Sequence, residues 1–235
     1  MNPIQPLDSN PFFSRPIPIL LALAALGGVL AGLLLTPAVL PGPVASLIGS
    51  SPKAYWFLAR GSALVAFGLL WMAMALGMSI TNRMARVWPG GPLVFDLHQF
   101  LSLLGLGFAI FHGLVLLGDR YIGFSLTQIL VPFAAASYKP FWVGLGQLGI
   151  YLWAVVVASF YLRKQIGRVA WRLIHFVTYL SFAAALVHGL MSGTDSSGLG
   201  VLALYWLAGG STFFLLVYRI LVSKSSVSLL QVNEK

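Results

Sequence analysis

Long apolar runs alternate with short polar or turn-rich segments along the whole chain. A helix needs about 20 apolar residues to cross a bilayer. Six runs approach or exceed this length: 18–36, 61–80, 97–118, 141–161, 173–192 and 198–221. The pattern predicts an all-α integral membrane protein, a six-transmembrane helix bundle over 18–221 with a short segment before it (1–17) and a tail after it (222–235). The first run is longer than the apolar part of a usual signal peptide, so we expect a retained span.

The composition agrees with a chain that is solvated mainly by lipid. Hydrophobic residues make up 59% of the 235 positions, charged residues make up 8%, and the mean hydropathy is +0.91. Soluble domains carry about 25% charged residues, so the soluble class is excluded. Cysteine is absent, which excludes disulfides, cysteine nucleophiles, thiolate-bound iron–sulfur clusters and covalently attached c-type haem.

The distribution of basic residues predicts the orientation. The net charge of +9 comes from 14 Lys and Arg against 5 Asp and Glu, but no basic block exists to hold a duplex, so we expect no nucleic-acid partner. With six spans, ten of the 14 basic residues lie on the side of the two termini, and the other four lie opposite. Because cytoplasmic loops carry the excess of Lys and Arg, both termini are predicted to be cytoplasmic. The protein is expected in the cell inner (plasma) membrane, with the third and fifth spans parallel.

The four histidines of the chain all lie within predicted spans. They are His98 and His112 in the third span and His175 and His188 in the fifth. Ionisable residues at membrane depth are costly and usually face a partner inside the bundle. The histidines of each span are separated by about 20 Å along the helix axis. Because the two spans are parallel, the spacing predicts two stacked pairs, His98 with His175 and His112 with His188.

Two facing imidazoles, repeated at two depths, match two b-type haems with bis-histidine ligation. For a single membrane histidine, interhelical hydrogen bonding is the alternative. A bare zinc or copper site would need three or four ligands close together, and a proton relay usually includes intramembrane carboxylates. On an ideal helix, His188 is turned about 140° from His175. A bulge, a tilt or haems approached from different directions would each accommodate this angle.

The longest predicted outer loop, 119–140, contains the apolar segment 124–137. This segment is too short to span, and Pro132 interrupts it. Two interpretations are open: an interfacial lid over the outer site, or an apolar loop without that role.

Short motifs accompany the histidine spacings. They are ARGS at 59–62, FDLH at 95–98, FHGL at 111–114, WRLIH at 171–175, and HGL at 188–190 followed by GTDS at 193–196. Together with the spacings, they resemble the ferric reductase-like transmembrane domain family, over nearly the whole chain. This family includes the membrane parts of NADPH oxidases and ferric reductases, and the haem subunit of the bacterial methionine sulfoxide reductase system. The resemblance implies two haem b groups, with His98 and His175 as iron ligands of the inner haem and His112 and His188 as iron ligands of the outer one.

The resemblance also implies roles for two arginines. Arg60 matches an arginine that lies near the outer haem and its acceptor, where a guanidinium would pair with a propionate or an anionic acceptor; a snorkelling interfacial charge is the alternative. Arg172, three residues before His175, is expected to pair with an inner propionate, although the positive-inside rule explains its position equally well.

The sequence departs from the family's oxidases and ferric reductases, which carry a flavin- and NADPH-binding dehydrogenase after the last span. Only a short tail follows here, and no Gly-rich phosphate loop is present. We therefore expect an oxidoreductase component that transfers electrons from a cytoplasmic-side donor to an extracytoplasmic acceptor. The donor would be a separate protein, a quinol or a flavin. Two alternatives are a haem-bearing accessory subunit of a larger membrane redox or photosynthetic complex, and a haem-free transporter.

Overall fold

The computed structural model of the chain describes residues 53–82, 90–136 and 138–232, with side chains to residue 221. This part of the chain contains helices and no strands. Four of its helices are long and apolar enough to cross a membrane. The chain is therefore a multi-pass membrane protein by length and composition. The predicted first span, 18–36, lies outside the described residues.

The helices follow one another along the chain with short connections. They are α1 Ala54–Thr81, α2 Gly91–Val115, α3 Leu126–Leu130, α4 Pro140–Ser192 and α5 Leu199–Val232. A 3₁₀ turn at Leu116–Gly118 extends α2. The second and third predicted spans correspond to α1 and α2, and the sixth lies within α5. Both the fourth and the fifth lie within α4.

The sequence explains where α1 ends and α2 begins. Near the end of α1, the Thr81 hydroxyl donates to the Gly77 carbonyl at 2.9 Å, a local bond that competes with continued helix. Gly90 precedes α2 with a φ of 116°, which favours glycine. Pro92 lies in the first turn of α2, where its missing N–H leaves no helical bond unmade.

The helix α4 is broken once, at Gly167, and its two halves pack against each other. Gly167 has φ 82° and ψ 162°, and it is the residue of α4 with non-helical backbone angles. Across the break, the Ser181 hydroxyl donates to the Gly149 carbonyl at 2.8 Å. A Cβ added at Gly149 would lie 3.3 Å from the Ala184 Cβ. The two halves of α4 therefore form an antiparallel hairpin.

The helix continues through most of the predicted break at 162–172. This segment contains Leu, Arg, Lys, Gln and Ala and no proline, and these residues favour helix. Only Gly167 interrupts it. The helical structure therefore extends well past the ends of the two predicted spans.

The core forms where α1 packs against the helices around it. Phe67 of α1 lies 4.9 Å from the Tyr205 ring and 5.8 Å from the Phe182 ring, centre to centre. The Trp71 indole donates to the Ser211 hydroxyl of α5 at 2.8 Å. These contacts connect α1 to the second half of α4 and to α5.

Candidate cofactor site

The structure brings the four histidines together as two pairs, each of which joins α2 to the second half of α4. The His98 and His175 ring centroids are 6.2 Å apart, with an interplanar angle of 66°. The His112 and His188 centroids are 6.4 Å apart, with an angle of 65°. The pairing predicted from spacing is therefore observed, and the two pairs have nearly the same geometry.

The centroid distances distinguish two ways of pairing imidazoles. For rings aligned end to end, a direct N–H···N hydrogen bond of about 2.9 Å would bring the centroids to about 5.1 Å. A metal ion between them, about 2.0–2.1 Å from each ring nitrogen, would set the centroids about 6.2–6.4 Å apart. The observed distances of 6.2 and 6.4 Å exceed the first value and are compatible with the second.

Backbone carbonyls of neighbouring segments orient three of the histidines. The Nδ1 atoms of His98 and His112 donate to the Ala73 and Ala59 carbonyls of α1, each at 2.8 Å. The Nδ1 of His188 donates to the Trp142 carbonyl at 2.8 Å. Because a carbonyl only accepts, these nitrogens carry the proton in the neutral ring, and Nε2 is left free to ligate a metal.

His175 differs from the other three. Its Nδ1 is buried and has no hydrogen-bond partner among the described residues. Its ring lies 5.4 Å from the Trp171 ring, centre to centre, with a tilt of 34°. Contact with a tilted indole ring therefore replaces, at this imidazole, the carbonyl that orients the others.

No bulge accounts for the uneven spacing of His175 and His188. The backbone between them is α-helical throughout. His188 instead contacts the first half of α4 through Trp142, whereas His175 lies at a cavity that Arg219 of α5 also lines. The two rings leave α4 in different directions, and each meets its partner on α2.

Glycines make room for two of the rings. A Cβ added at Gly146 would lie 2.5 Å from His188 Nδ1, and one at Gly77 would lie 3.1 Å from His98 Cε1. The first contact is too short without a shift of the His188 ring, and the second is tight and requires a smaller adjustment. These two glycines were not among the residues predicted from the sequence.

A cavity accompanies each pair. The cavity at His112 and His188 has a volume of about 320 Å³, and the cavity at His98 and His175 has about 60 Å³. Ligand pockets usually measure about 300–1,000 Å³. The first cavity reaches this range. The second is smaller than this range.

The two cavities share a wall. Trp153 and Leu70 line both of them. A Cβ added at Gly105 would lie 2.7 Å from Trp153 Cη2, so this glycine, midway between the histidines of α2, admits the indole. A buried aromatic ring therefore separates the two candidate sites.

Arg60 lies at the His112 cavity, where the resemblance expected it, and it is paired. Its guanidinium forms an ion pair with Asp195 and lies 3.9 Å from the Trp56 ring centre. All three residues line the cavity. Asp195 therefore supplies the negative charge that the expected propionate or anionic acceptor would provide.

The other polar groups of this cavity were not predicted from the sequence. Asp119 is 4% exposed; one carboxylate oxygen accepts from the Tyr121 N–H at 2.9 Å, and the other has no partner in the described part of the chain. Tyr138 donates to the Ser192 carbonyl at 2.7 Å. Burial, with Tyr121 nearby, raises the pKa of Tyr138, so this phenol keeps its proton at neutral pH. A composition pattern does not mark single polar residues of this kind.

The apolar segment of the loop between α2 and α4 lies at the His112 cavity. Phe124 is buried, and Gln128 and Ile129 of this segment also line the cavity. The Gln147 amide of α4 donates to the Gln128 and Ile129 carbonyls, each at 2.7 Å. The sequence left two interpretations of this segment open, a lid over the site and an apolar loop without that role. Its position at the cavity favours the lid.

Arg172 is exposed and is absent from the linings of both cavities. Its pairing with a propionate stays a prediction. Arg219 of α5 instead lines the His98 cavity.

The described residues contain no group of three or more His, Cys, Asp or Glu side chains that could hold a metal ion. Axial ligation of a haem needs only two protein ligands, because the porphyrin supplies the other four nitrogens. Each histidine pair fits this requirement in donor type and ring spacing. Comparison of the chain with protein-family models, with curated proteins and with solved structures finds no match.

Proposed function

We propose that the protein transfers electrons across the membrane through two b-type haems, each held between one histidine pair. The observation that carries this proposal is the repeated geometry: two pairs with centroid distances of 6.2 and 6.4 Å and angles of 66° and 65°. A hydrogen-bonding role would not require the same separation twice. A haem ligated in this way supplies a one-electron couple between ferric and ferrous iron.

The protein's own residues have three tasks in this proposal. His98 with His175 would hold one haem through their ring nitrogens, and His112 with His188 would hold the other. The carbonyls that accept from Nδ1 fix ring orientation and keep Nε2 unprotonated. Trp153, between the cavities, keeps water out of the space that an electron must cross.

The proposed topology completes the path. We infer six spans, with the first over 18–36 and the α4 hairpin supplying two, and both termini on the cytoplasmic side of the inner membrane. The His98 pair is then the inner site and the His112 pair the outer one. A separate protein, a quinol or a flavin delivers electrons on the cytoplasmic side. The chain is accordingly an oxidoreductase component, alone or within a larger complex.

Haem analysis of the purified protein tests the proposal. We expect about two haem b per chain and a low-spin, bis-histidine spectrum. Because each pair serves one site, His112→Ala should remove about half of the haem, and His98→Ala the other half. Gln165→Ala, an exposed position on α4, is the control and should keep both.

Two results would contradict the proposal. Colourless protein with full helicity, after expression with excess haem, would favour the haem-free transporter. Loss of all haem from every single-histidine variant, with helicity unchanged, would show that the pairs are not separate sites.

A further inference from the structure

Arg219 lies on α5 at the His98 cavity, which it lines together with His98 and His175. Its Nη1 donates to the Tyr179 hydroxyl at 3.3 Å, and its guanidinium carbon lies 5.6 Å from the Phe176 ring centre. The residue is half-buried. Contacts with α4 therefore hold this cation beside the site.

The charge of Arg219 has no counter-ion in the part of the chain that the structure describes. The ion pair found there joins Arg60 to Asp195, at the other cavity. Partial burial of a guanidinium without an anion is unfavourable. The two arginines thus differ: Arg60 is neutralised by the protein, and Arg219 is available to an anionic ligand.

Other unpartnered polar atoms near this end are also donors. The Trp171 indole N–H and the His175 Nδ1 are buried without an acceptor among the described residues. The Asn82 amide nitrogen is in the same state, and it directly follows Thr81, which lines the cavity. A buried donor without an acceptor favours a ligand group that carries negative charge.

We propose that Arg219 binds a carboxylate of the macrocycle held between His98 and His175. This inference rests on the proposed function, because it assumes a haem at that pair. It assigns the inner propionate to α5, and not to Arg172. A fork of guanidinium donors suits a carboxylate, and the positive charge near the iron favours the ferrous form.

Reconstitution with two porphyrins tests the assignment. Iron protoporphyrin IX and its dimethyl ester, whose carboxylates are neutral, are bound to detergent-solubilised apo-protein of His112→Ala, which keeps only the His98 site. The same measurement is made on His112→Ala protein that also carries Arg219→Gln, Arg219→Lys or Arg163→Gln. Arg163 contacts Phe160 and lines neither cavity, so it is the matched control. The readouts are the dissociation constant and the midpoint potential.

We expect Arg219→Gln to weaken binding of the free acid about tenfold or more, the range for a hydrogen bond between charged groups, and to leave ester binding unchanged. The midpoint potential with the free acid should fall. Arg219→Lys should keep part of the affinity for the free acid and part of the midpoint potential. Arg163→Gln should match the parent in both.

The experiment distinguishes failure of the proposed function from failure of the role proposed for Arg219. If neither porphyrin binds to the parent or to the four-histidine protein, the proposed function fails. If both bind but Arg219→Gln changes neither the acid-to-ester preference nor the potential, the proposed function stands and the role of Arg219 is overturned. An effect of Arg219 that requires vesicles containing anionic lipid, and is absent in detergent, would assign the cation to a lipid phosphate and also overturn it.

Discussion

A hydrogen bond from one ring nitrogen fixes the tautomer of a histidine and leaves the other nitrogen free to act as a ligand. In this protein the orienting groups for His98, His112 and His188 are backbone carbonyls of other segments, each at 2.8 Å from Nδ1. The sequence identified the four imidazoles and their pairing. It did not identify Ala59, Ala73 or Trp142 as the hydrogen-bond acceptors, because every residue type has a backbone carbonyl.

Gly146 offers a test of this packing at the level of one atom. A Cβ there would lie 2.5 Å from His188 Nδ1, so Gly146→Ala should push the ring away from the Trp142 carbonyl. We expect the variant to lose half or more of the haem at the His112 pair and to keep the haem at the His98 pair. Haem content and the two low-spin signals in electron paramagnetic resonance measure this loss.

The control for Gly146 is Gly107→Ala on α2, where an added Cβ meets nothing within 4 Å. This variant should keep both haems, since an alanine at that point touches no ring. Full haem occupancy in Gly146→Ala would mean that His188 tolerates a shift of its ring, and that the close approach to Gly146 does not determine ligation.

At the scale of elements, apolar runs predicted the long helices well, and polar segments predicted their ends less well. The runs mark where a chain is apolar, which is a property of the membrane core. They do not mark where a helix stops, because helix formers such as those of 162–172 continue it in water. The backbone angles of Gly167 are what separate the two halves of α4, and one glycine among the 25 in the chain carries no distinguishing mark in sequence.

Gly167→Ala tests the importance of this break. Alanine is disfavoured at φ 82° and ψ 162°, and such a strained residue costs about 1–3 kcal/mol. We expect the free energy of unfolding, measured by titration from mild detergent into a denaturing one, to fall by this amount. In this variant the hydrogen bond from Ser181 to Gly149, which joins the two halves of α4, requires the strained backbone at position 167.

Gly61→Ala, in α1, is the matched control for the break. Its Cβ would meet nothing within 4 Å, and replacement of a helical glycine by alanine stabilises by up to about 1 kcal/mol. Equal stability changes in the two variants would indicate that the hairpin does not depend on the backbone of Gly167.

At the scale of the whole molecule, the polar groups differ between the two ends of the described bundle. The His112 cavity contains the carboxylates Asp119 and Asp195 with a neutralised Arg60. The His98 cavity contains Arg219 without a described counter-ion. The sequence could not predict this difference, because it results from which helix ends meet in space and not from local composition.

The absence of cysteine allows the topology to be tested with single introduced thiols. Tyr121, after α2, is 91% exposed, and Lys164, near the break in α4, is also exposed. The helix from Pro140 to Lys164 rises about 36 Å, more than the hydrocarbon core of about 30 Å. The two positions should therefore lie on opposite sides of the membrane.

In intact cells, a membrane-impermeant maleimide should label Tyr121→Cys and should label Lys164→Cys only after permeabilisation. The parent chain, which has no thiol, gives the background. Labelling of both variants from outside would mean that the first half of α4 does not cross the bilayer. Labelling of Lys164→Cys alone would invert the orientation, and electrons would then enter at the His112 pair, beneath the segment that Gln147 holds over its cavity.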